Sequence, residues 1–155
     1  MKFTVLLLIA LMLLTPAIVS ADDSEWGARY IAAFNTMNFE EQWFFMSHIR
    51  QSYWGLKQAN AQFPANTWAA VTASGDMFFE RPFSGSLDAI LDAAVFLHEA
   101  EHVRQYRLGS WEALIKECEP SRTMVRFMER KVFDEPQLYP RLAYFQLQVR
   151  IECGK

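Results

Sequence analysis

The sequence predicts a small α+β domain that is mainly helical and carries one short β-hairpin. Apolar residues recur at steps of three and four along most of the chain, which is the period of helices with one buried face. Between Thr67 and Phe83 that period is lost, and apolar residues flank the turn signal Ala73-Ser74-Gly75-Asp76. Two strands alone are only marginally stable, so this hairpin is expected to pack on the helices.

The first 21 residues have the features of a secretory signal peptide. Lys2 is the only charged residue before Asp22, an unbroken apolar run extends from Val5 to Leu14, and the segment ends in the small residues Val19-Ser20-Ala21. The apolar run is too short for a membrane span, which needs about 20 residues. The segment predicts cleavage after Ala21 and a secreted or periplasmic protein.

The predicted mature chain, residues 22–155, has 155 − 21 = 134 residues, which suffice for one hydrophobic core and hence a single domain. Removing the leader takes away Lys2 and leaves 14 basic and 18 acidic residues, a net charge of −4. This mild acidity argues against a nucleic-acid partner. No stable membrane span is expected after cleavage, and the oligomeric state is not predicted.

Both cysteines, Cys118 and Cys153, belong to the mature chain. An even pair in an exported protein predicts a disulfide, which would stabilise the fold by about 3 to 4 kcal/mol in the chain-entropy model. The alternative is a pair of thiols that ligate a metal.

The first helix is predicted from Ser24, and the second starts at Asn38, where Glu41 completes a capping-box pattern. Apolar residues of the second helix recur at helical steps and predict a core face: Phe39, Trp43, Met46, Ile49 and Tyr53. Four later helices are predicted from Leu87 to Arg107, from Ser110 to Glu119, from Ser121 to before Pro136, and from Pro140 to about Glu152.

The most specific motif is His98-Glu99-Ala100-Glu101-His102, an HExxH sequence inside the predicted central helix. Residues four apart lie on one face of a helix, so His98 and His102 can direct imidazole nitrogens at one metal ion. Glu99 is turned by about 100° around the helix, where it can reach a water molecule as a general base. These two histidines are among only three in the chain, which argues against a chance pairing. The motif predicts a zinc site.

A catalytic zinc usually has three protein ligands, so a third donor is needed. Glu129 is the best candidate because it neighbours an apolar stripe of its predicted helix, which would point its carboxylate partly inward. It could instead be exposed and paired with Arg126 or Arg130. Asp134, Glu135 and His48 are the alternative ligands.

An HExxH helix followed by a glutamate from a later helix resembles the zincin metallopeptidases of the glutamate-ligand type. The string from His98 to Tyr106 is similar to small bacterial peptidase-like domains with an HExxHxxQ signature, some of them attached to secreted toxins. The resemblance covers mainly residues 75–134 and implies a small zincin-like domain built around the HExxH helix. It implies zinc at His98 and His102, Glu99 as base and a ligand glutamate in the Glu129–Val132 stretch, where Val132 replaces the alanine of an E-x-x-A pattern.

The leader and the resemblance together predict a secreted or periplasmic zinc peptidase that hydrolyses amide bonds of a peptide or protein. Glu101 and Arg104 depart from the usual uncharged positions of the motif, and both can face solvent without harming the site. The sequence identifies no oxyanion stabiliser: Tyr106, Tyr139 and Tyr144 are available, but each fits a packing or surface role better than a catalytic one. The main alternative is a non-catalytic binding or inhibitory protein on the same scaffold, with the aromatic first helices as its contact surface. A di-iron carboxylate bundle needs a second Glu-x-x-His sequence, and the chain has none.

Overall fold

The computed structural model describes residues 24–55, 67–80, 87–109, 112 and 116–154. The elements are α1 (Ser24–Thr36), α2 (Phe39–His48), β1 (Gln51–Trp54), β2 (Ala69–Val71), β3 (Asp76–Phe79), α3 (Asp88–Arg107), α4 (Cys118–Lys131), a short 3₁₀ helix (Pro136–Leu138) and α5 (Tyr139–Glu152). The predicted class, mainly helical with a small sheet, is confirmed. The predicted signal peptide and most of the predicted helix from Ser110 lie outside the described residues.

Helix α3 is the centre of the fold. It packs against α1, α2, α4 and β2, and 13 of its 20 residues are buried. Its bounds agree with the predicted helix to within one residue. Because neighbours surround it on most sides, its polar side chains are also held in fixed directions, including those of the HExxH motif.

The core beside α3 is aromatic. Phe96 of α3 packs against Tyr30, Phe45 and Phe79, with ring centroids 5.1 to 5.5 Å apart. Trp26 of α1 stacks on Phe79 at 5.3 Å and is almost fully buried. Aromatic pairs of this kind contribute about 0.5 to 1.5 kcal/mol each beyond the burial of their area. They join α1, α2 and the sheet to one face of α3.

The predicted hairpin is confirmed as the antiparallel pair β2 and β3, and β1 adds a third strand parallel to β3. The order is β1-β3-β2, so β2 is an edge strand. The second helix was predicted to continue through Tyr53, which is wrong, because it ends at His48 and Tyr53 lies in β1. The backbone becomes extended at Ile49. The amide of the next residue, Arg50, donates a hydrogen bond to the carbonyl of Gly75 at 2.7 Å.

Gly75 makes that contact with the end of α2 possible. Its φ of +90° is a left-handed conformation that favours glycine, and a Cβ there would lie 2.3 Å from the carbonyl oxygen of His48. The turn of the hairpin can therefore approach the C-terminus of α2 only when this position lacks a side chain.

The predicted capping box of α2 is present: the amide of Glu41 donates to Asn38 at 2.9 Å, and the amide of Asn38 donates to the Glu41 carboxylate at 2.8 Å. The predicted core face of this helix is wrong, because Phe39 is 72% exposed and Trp43 is 62% exposed. The buried face of the helix instead carries Phe45, which packs against Phe96 of α3. Spacing gives an apolar stripe on α2 but does not fix which stripe meets a partner.

Helix α4 covers the other side of α3, and α5 packs on α4. The structure confirms the disulfide between Cys118 at the start of α4 and Cys153 directly after α5. Helix α4 begins at Cys118, three residues before the predicted start at Ser121. Pro120 lies in its first turn, where a missing backbone N–H removes no intrahelical hydrogen bond.

Among the described residues, no helix combines the length and the apolar character needed to cross a lipid bilayer.

Candidate metal centre

The structure brings the two histidines of the HExxH motif together on one face of α3. The Nε2 atoms of His98 and His102 are 3.2 Å apart, and the rings meet edge to face. His102 is buried, and the His98 side chain is 15% exposed. Helical spacing accounts for this pairing, because residues four apart lie one above the other.

Glu117 supplies the third donor. Its Oε2 lies 3.0 Å from Nε2 of His98 and 3.5 Å from Nε2 of His102. The residue stands immediately before α4, whose packing on α3 brings its carboxylate over the two imidazoles. These three atoms lie close enough together to share one cation, so His98, His102 and Glu117 form a group that could hold a metal ion.

The separations of these three atoms, 3.0, 3.2 and 3.5 Å, fit a metal site. A circle through points with these separations has a radius of about 1.9 Å, so a point about 2.1 Å from all three atoms exists just outside their plane, at the length of zinc–nitrogen and zinc–oxygen bonds. Ligands of a regular tetrahedral zinc site are about 3.4 Å apart. Two imidazoles and one carboxylate are also a common donor set of catalytic zinc sites.

The electrostatics of Glu117 suit a ligand. Hydrogen bonds with His102 and His98 hold the pKa of the Glu117 carboxyl well below its usual value, despite the opposing effect of its partial burial. The carboxylate is therefore ionised at neutral pH. An ionised oxygen is the form that binds a cation, so no proton must leave Glu117 first.

The other ring nitrogen of His98 lacks a partner. Its Nδ1 is buried and has no hydrogen bond within the part of the chain that the structure describes. Ligating histidines usually donate this second N–H to an oxygen acceptor, which fixes the ring. Here the described surroundings hold the His98 ring by packing and by the contact of Nε2 with Glu117.

Glu99 is placed beside the cluster but not in it. Its side chain is buried, it lines the same cleft as the three ligand candidates, and its carboxylate has no hydrogen-bond partner among the described residues. Burial raises the pKa of Glu99, while the nearby His98 and His102 act in the opposite direction. A carboxylate with a raised pKa is a stronger base, which is the property that proton transfer near neutral pH requires.

The structure does not bring the other candidate ligands to the histidines. Glu129 is exposed on α4 and accepts a hydrogen bond from Gln146 at 3.1 Å. Asp134 is exposed in the turn after α4, and Glu135 accepts from Gln137. The Nδ1 atom of His48 is bonded to the carbonyl of Phe44 at 2.7 Å. None of these four residues belongs to the described group that could hold a metal.

Glu101, the acidic residue between the two histidines, does not face solvent. It is 4% exposed, and its carboxylate accepts from Arg104 at 2.7 and 2.6 Å and from Gln105 at 2.8 Å. Burial raises the pKa of Glu101, but these hydrogen bonds outweigh burial and lower it overall. The charges of Glu101 and Arg104, which depart from the usual motif, therefore neutralise each other outside the cleft.

The cluster lies in a cleft of about 680 Å³. Helix α3 contributes its polar face, the edge strand β2 forms one wall, and α4 and α5 form the other. The described lining residues are Thr67, Trp68, Ala69, Ala70, Val71, Val95, His98, Glu99, His102, Glu117, Ser121, Met124, Tyr144, Phe145, Gln148 and Glu152. The volume is typical of sites for small molecules or short peptide segments.

Glu117 is the site residue that the sequence did not reveal. Pro120 predicted the end of the helix from Ser110 to Glu119, so Glu117 was placed in the last turn of that helix and not at the start of α4. Its neighbour Cys118 carries the one available signal, because a disulfide fixes the backbone next to it. The disulfide at Cys118 indicates that the backbone at Glu117 is held in place, but it does not indicate which residues the Glu117 side chain faces.

Comparisons with known proteins leave the family open. No protein family matches the chain, and no curated protein or solved structure is significantly similar to it.

Proposed function

We propose that this protein is a secreted or periplasmic zinc-dependent peptidase of the zincin type. The observation that carries the proposal is the convergence of His98 Nε2, His102 Nε2 and Glu117 Oε2 within 3.5 Å, beside the buried Glu99. The disulfide supports an oxidising compartment, where such bonds persist.

His98, His102 and Glu117 would hold the metal. When bound, zinc supplies Lewis-acid chemistry that polarises a carbonyl and acidifies a water molecule. Glu99 accepts the proton of the attacking water and afterwards delivers it to the leaving amine. Its place on α3, one residue after the ligand His98, keeps the carboxylate at the cleft without using it as a ligand.

The edge strand β2 supports a peptide as the substrate. One edge of β2 pairs with β3, the strand lines the cleft, and its other edge pairs with no described strand. An extended peptide can add to such an edge through main-chain hydrogen bonds, which would align its backbone along the cleft.

The experiment compares the zinc-loaded wild type with Glu99→Gln and His98→Ala on a library of quenched fluorescent peptides. Glu99→Gln is expected to retain one zinc per chain by mass spectrometry while its hydrolysis falls by about 10² to 10⁴, the usual contribution of a general base. His98→Ala is expected to lose both zinc and hydrolysis. Glu129→Gln is the matched control and should behave as the wild type. Equal rates for the wild type and Glu99→Gln would remove Glu99 from the chemistry.

The exposed aromatic face of α2 favours a second function, a non-catalytic binding protein on the same scaffold. Phe39 and Trp43 lie one turn apart and are both mostly exposed. Exposed apolar clusters are typical of interaction surfaces. Zinc bound without cleavage of any peptide in the library would favour this second function.

A further inference from the structure

The acidic residues of the cleft are not confined to its metal centre. Three glutamates line it, and no lysine or arginine does so among the described residues. Glu117 is a candidate ligand and Glu99 is the proposed base. The third, Glu152, has no part in the metal centre or in the proposed proton transfer, so its presence in the cleft needs a separate reason.

The disulfide holds Glu152 close to the metal centre. Glu117 directly precedes Cys118, Glu152 directly precedes Cys153, and the Cα atoms of the two cysteines are 5.0 Å apart. From Glu152, the lining residues Gln148 and Tyr144 follow at steps of four along α5. One face of α5 therefore presents a stripe about 12 Å long that begins near the metal centre.

Glu152 is free to bind a ligand. Its carboxylate is exposed and forms no ion pair or hydrogen bond with any described residue. Outside the cleft lining, by contrast, Glu101 is paired with Arg104 and Glu119 is paired with Arg122. Glu99 is a second carboxylate without a described hydrogen-bond partner, although His98 and His102 lie near it. It is more than nine-tenths buried and lines the same cleft. Two such carboxylates indicate that the cleft accepts a group carrying positive charge or donating hydrogen bonds.

The walls suit a cation on an alkyl stem. Trp68 stands on the wall formed by the sheet, and Tyr144 stands on the wall formed by α5. Aromatic faces attract ammonium and guanidinium groups, and the methylenes of lysine and arginine pack on apolar surface. A cleft lined by one sign of charge also raises the local concentration of oppositely charged ligands.

We propose that Glu152 binds a cationic group of the substrate and makes the cleft selective for peptides with an ammonium or guanidinium group. This inference rests on the proposed peptidase function. The cation can come from a lysine or arginine side chain or from a free N-terminus, and the experiment separates these two sources.

The test measures peptide binding without turnover, in the zinc-loaded Glu99→Gln protein. The probes are hexa-alanine peptides blocked at both ends, with a single lysine moved through the six positions, and matching peptides with norleucine. A norleucine peptide with a free N-terminus tests the second source. At one position, or for the free amine, Kd is expected to be about fivefold lower than for the blocked norleucine peptide, as for a partly exposed ion pair.

Adding Glu152→Gln should remove this preference, and Glu152→Lys should reverse it toward peptides with glutamate. Asp134→Asn, an equal change of charge outside the cleft lining, is the matched control and should keep the preference. Circular dichroism spectra identical to that of the parent show that each variant is folded. Equal Kd values for all peptides, or a preference that survives Glu152→Gln, would overturn the proposal.

Cleavage of the same peptides by the wild type separates this inference from the proposed function. Binding that prefers the cation without any cleavage would leave the subsite standing and remove the peptidase. Cleavage at equal rates of lysine, free-amine and norleucine peptides would leave the peptidase and overturn the role of Glu152.

Discussion

At the scale of single residues, the contrast between Glu117 and Glu129 concerns the third member of the group that could hold a metal ion. The two are twelve residues apart, about 18 Å along a continuous helix, so both cannot reach one ion. Glu129 neighbours the buried Met128, but one step along a helix turns a side chain by about 100°, which is enough to expose it. Glu117 instead stands at the end of α4 that meets the histidines.

Glu117→Gln is expected to weaken zinc binding by more than about 100-fold, since even residues that only support a metal ligand contribute 10- to 100-fold. Competition with a chromogenic chelator at pH 7.5 measures the affinity. Glu129→Gln, the same chemical change outside the cluster, should alter it by less than about twofold. A larger loss of zinc affinity for Glu129→Gln than for Glu117→Gln would instead identify Glu129 as the ligand.

Tyr30 gives the unfolding free energy a pH dependence at alkaline pH. Burial raises the pKa of its phenol to about 12, and a hydrogen bond with Ser52 opposes the rise. Because the folded pKa exceeds the unfolded value of 10.0, the full stability is present below pH 10 and is lost as the pH rises toward 12. The loss amounts to about 2 to 3 kcal/mol.

Urea unfolding at pH 8, 9, 10 and 11 measures this dependence. Tyr30→Phe has no phenol to ionise, so its unfolding free energy should fall less steeply above pH 10 than that of the wild type. Parallel curves for the two proteins would mean that Tyr30 ionises equally in the folded and unfolded chains.

At the scale of elements, an ion pair fixes α1 on α3. The guanidinium of Arg29 donates to the carboxylate of Asp92 at 2.8 and 3.0 Å, and both side chains are almost completely buried. Arg29 also lies over the rings of Trp54 and Phe79, at 4.9 and 5.4 Å from their centroids. The pair therefore sets the position of α1 relative to the helix that carries the metal candidates.

Asp92→Ala is expected to lower the unfolding free energy by about 3 to 5 kcal/mol, because it removes the carboxylate that accepts both described hydrogen bonds of the buried Arg29 guanidinium. Urea denaturation followed by tryptophan fluorescence measures the loss. The double variant Arg29→Met with Asp92→Leu should recover most of it, since apolar residues of similar volume commonly replace buried pairs without loss. A single variant that costs less than about 1 kcal/mol would contradict a large contribution of this pair to stability.

At the scale of the whole molecule, the disulfide links the fold to the site. It closes the loop between positions 118 and 153, which contains α4 and α5, and it stands next to the candidate ligand Glu117. The same bond that stabilises the chain also ties together α4 and α5, the two helices that form one wall of the cleft.

The double variant Cys118→Ser with Cys153→Ser is expected to lose about 3 to 4 kcal/mol of stability in the chain-entropy model. Its zinc affinity should also fall by about tenfold or more, because the ligand carboxylate is held less firmly. Chelator competition at a temperature where the variant remains folded separates the two effects. Reduced stability with unchanged affinity would mean that the packing of α4 alone positions Glu117.

The sequence by itself determined the features that depend on neighbours along the chain. The period of the apolar residues gave α3 and α5, the Asn38 and Glu41 pair gave the start of α2, and the turn signal gave the hairpin. The pairing of His98 with His102 follows from the four-residue step alone. The predicted export of the protein and its even number of cysteines predicted the disulfide.

Only the tertiary structure decided which carboxylate meets the histidines, which stripe of α2 is buried, and that the chain after His48 joins the sheet. Each of these depends on how surfaces distant in sequence face one another. Local spacing fixes the direction of a side chain relative to its own helix, whereas the packing of α4 on α3 fixes what that side chain reaches.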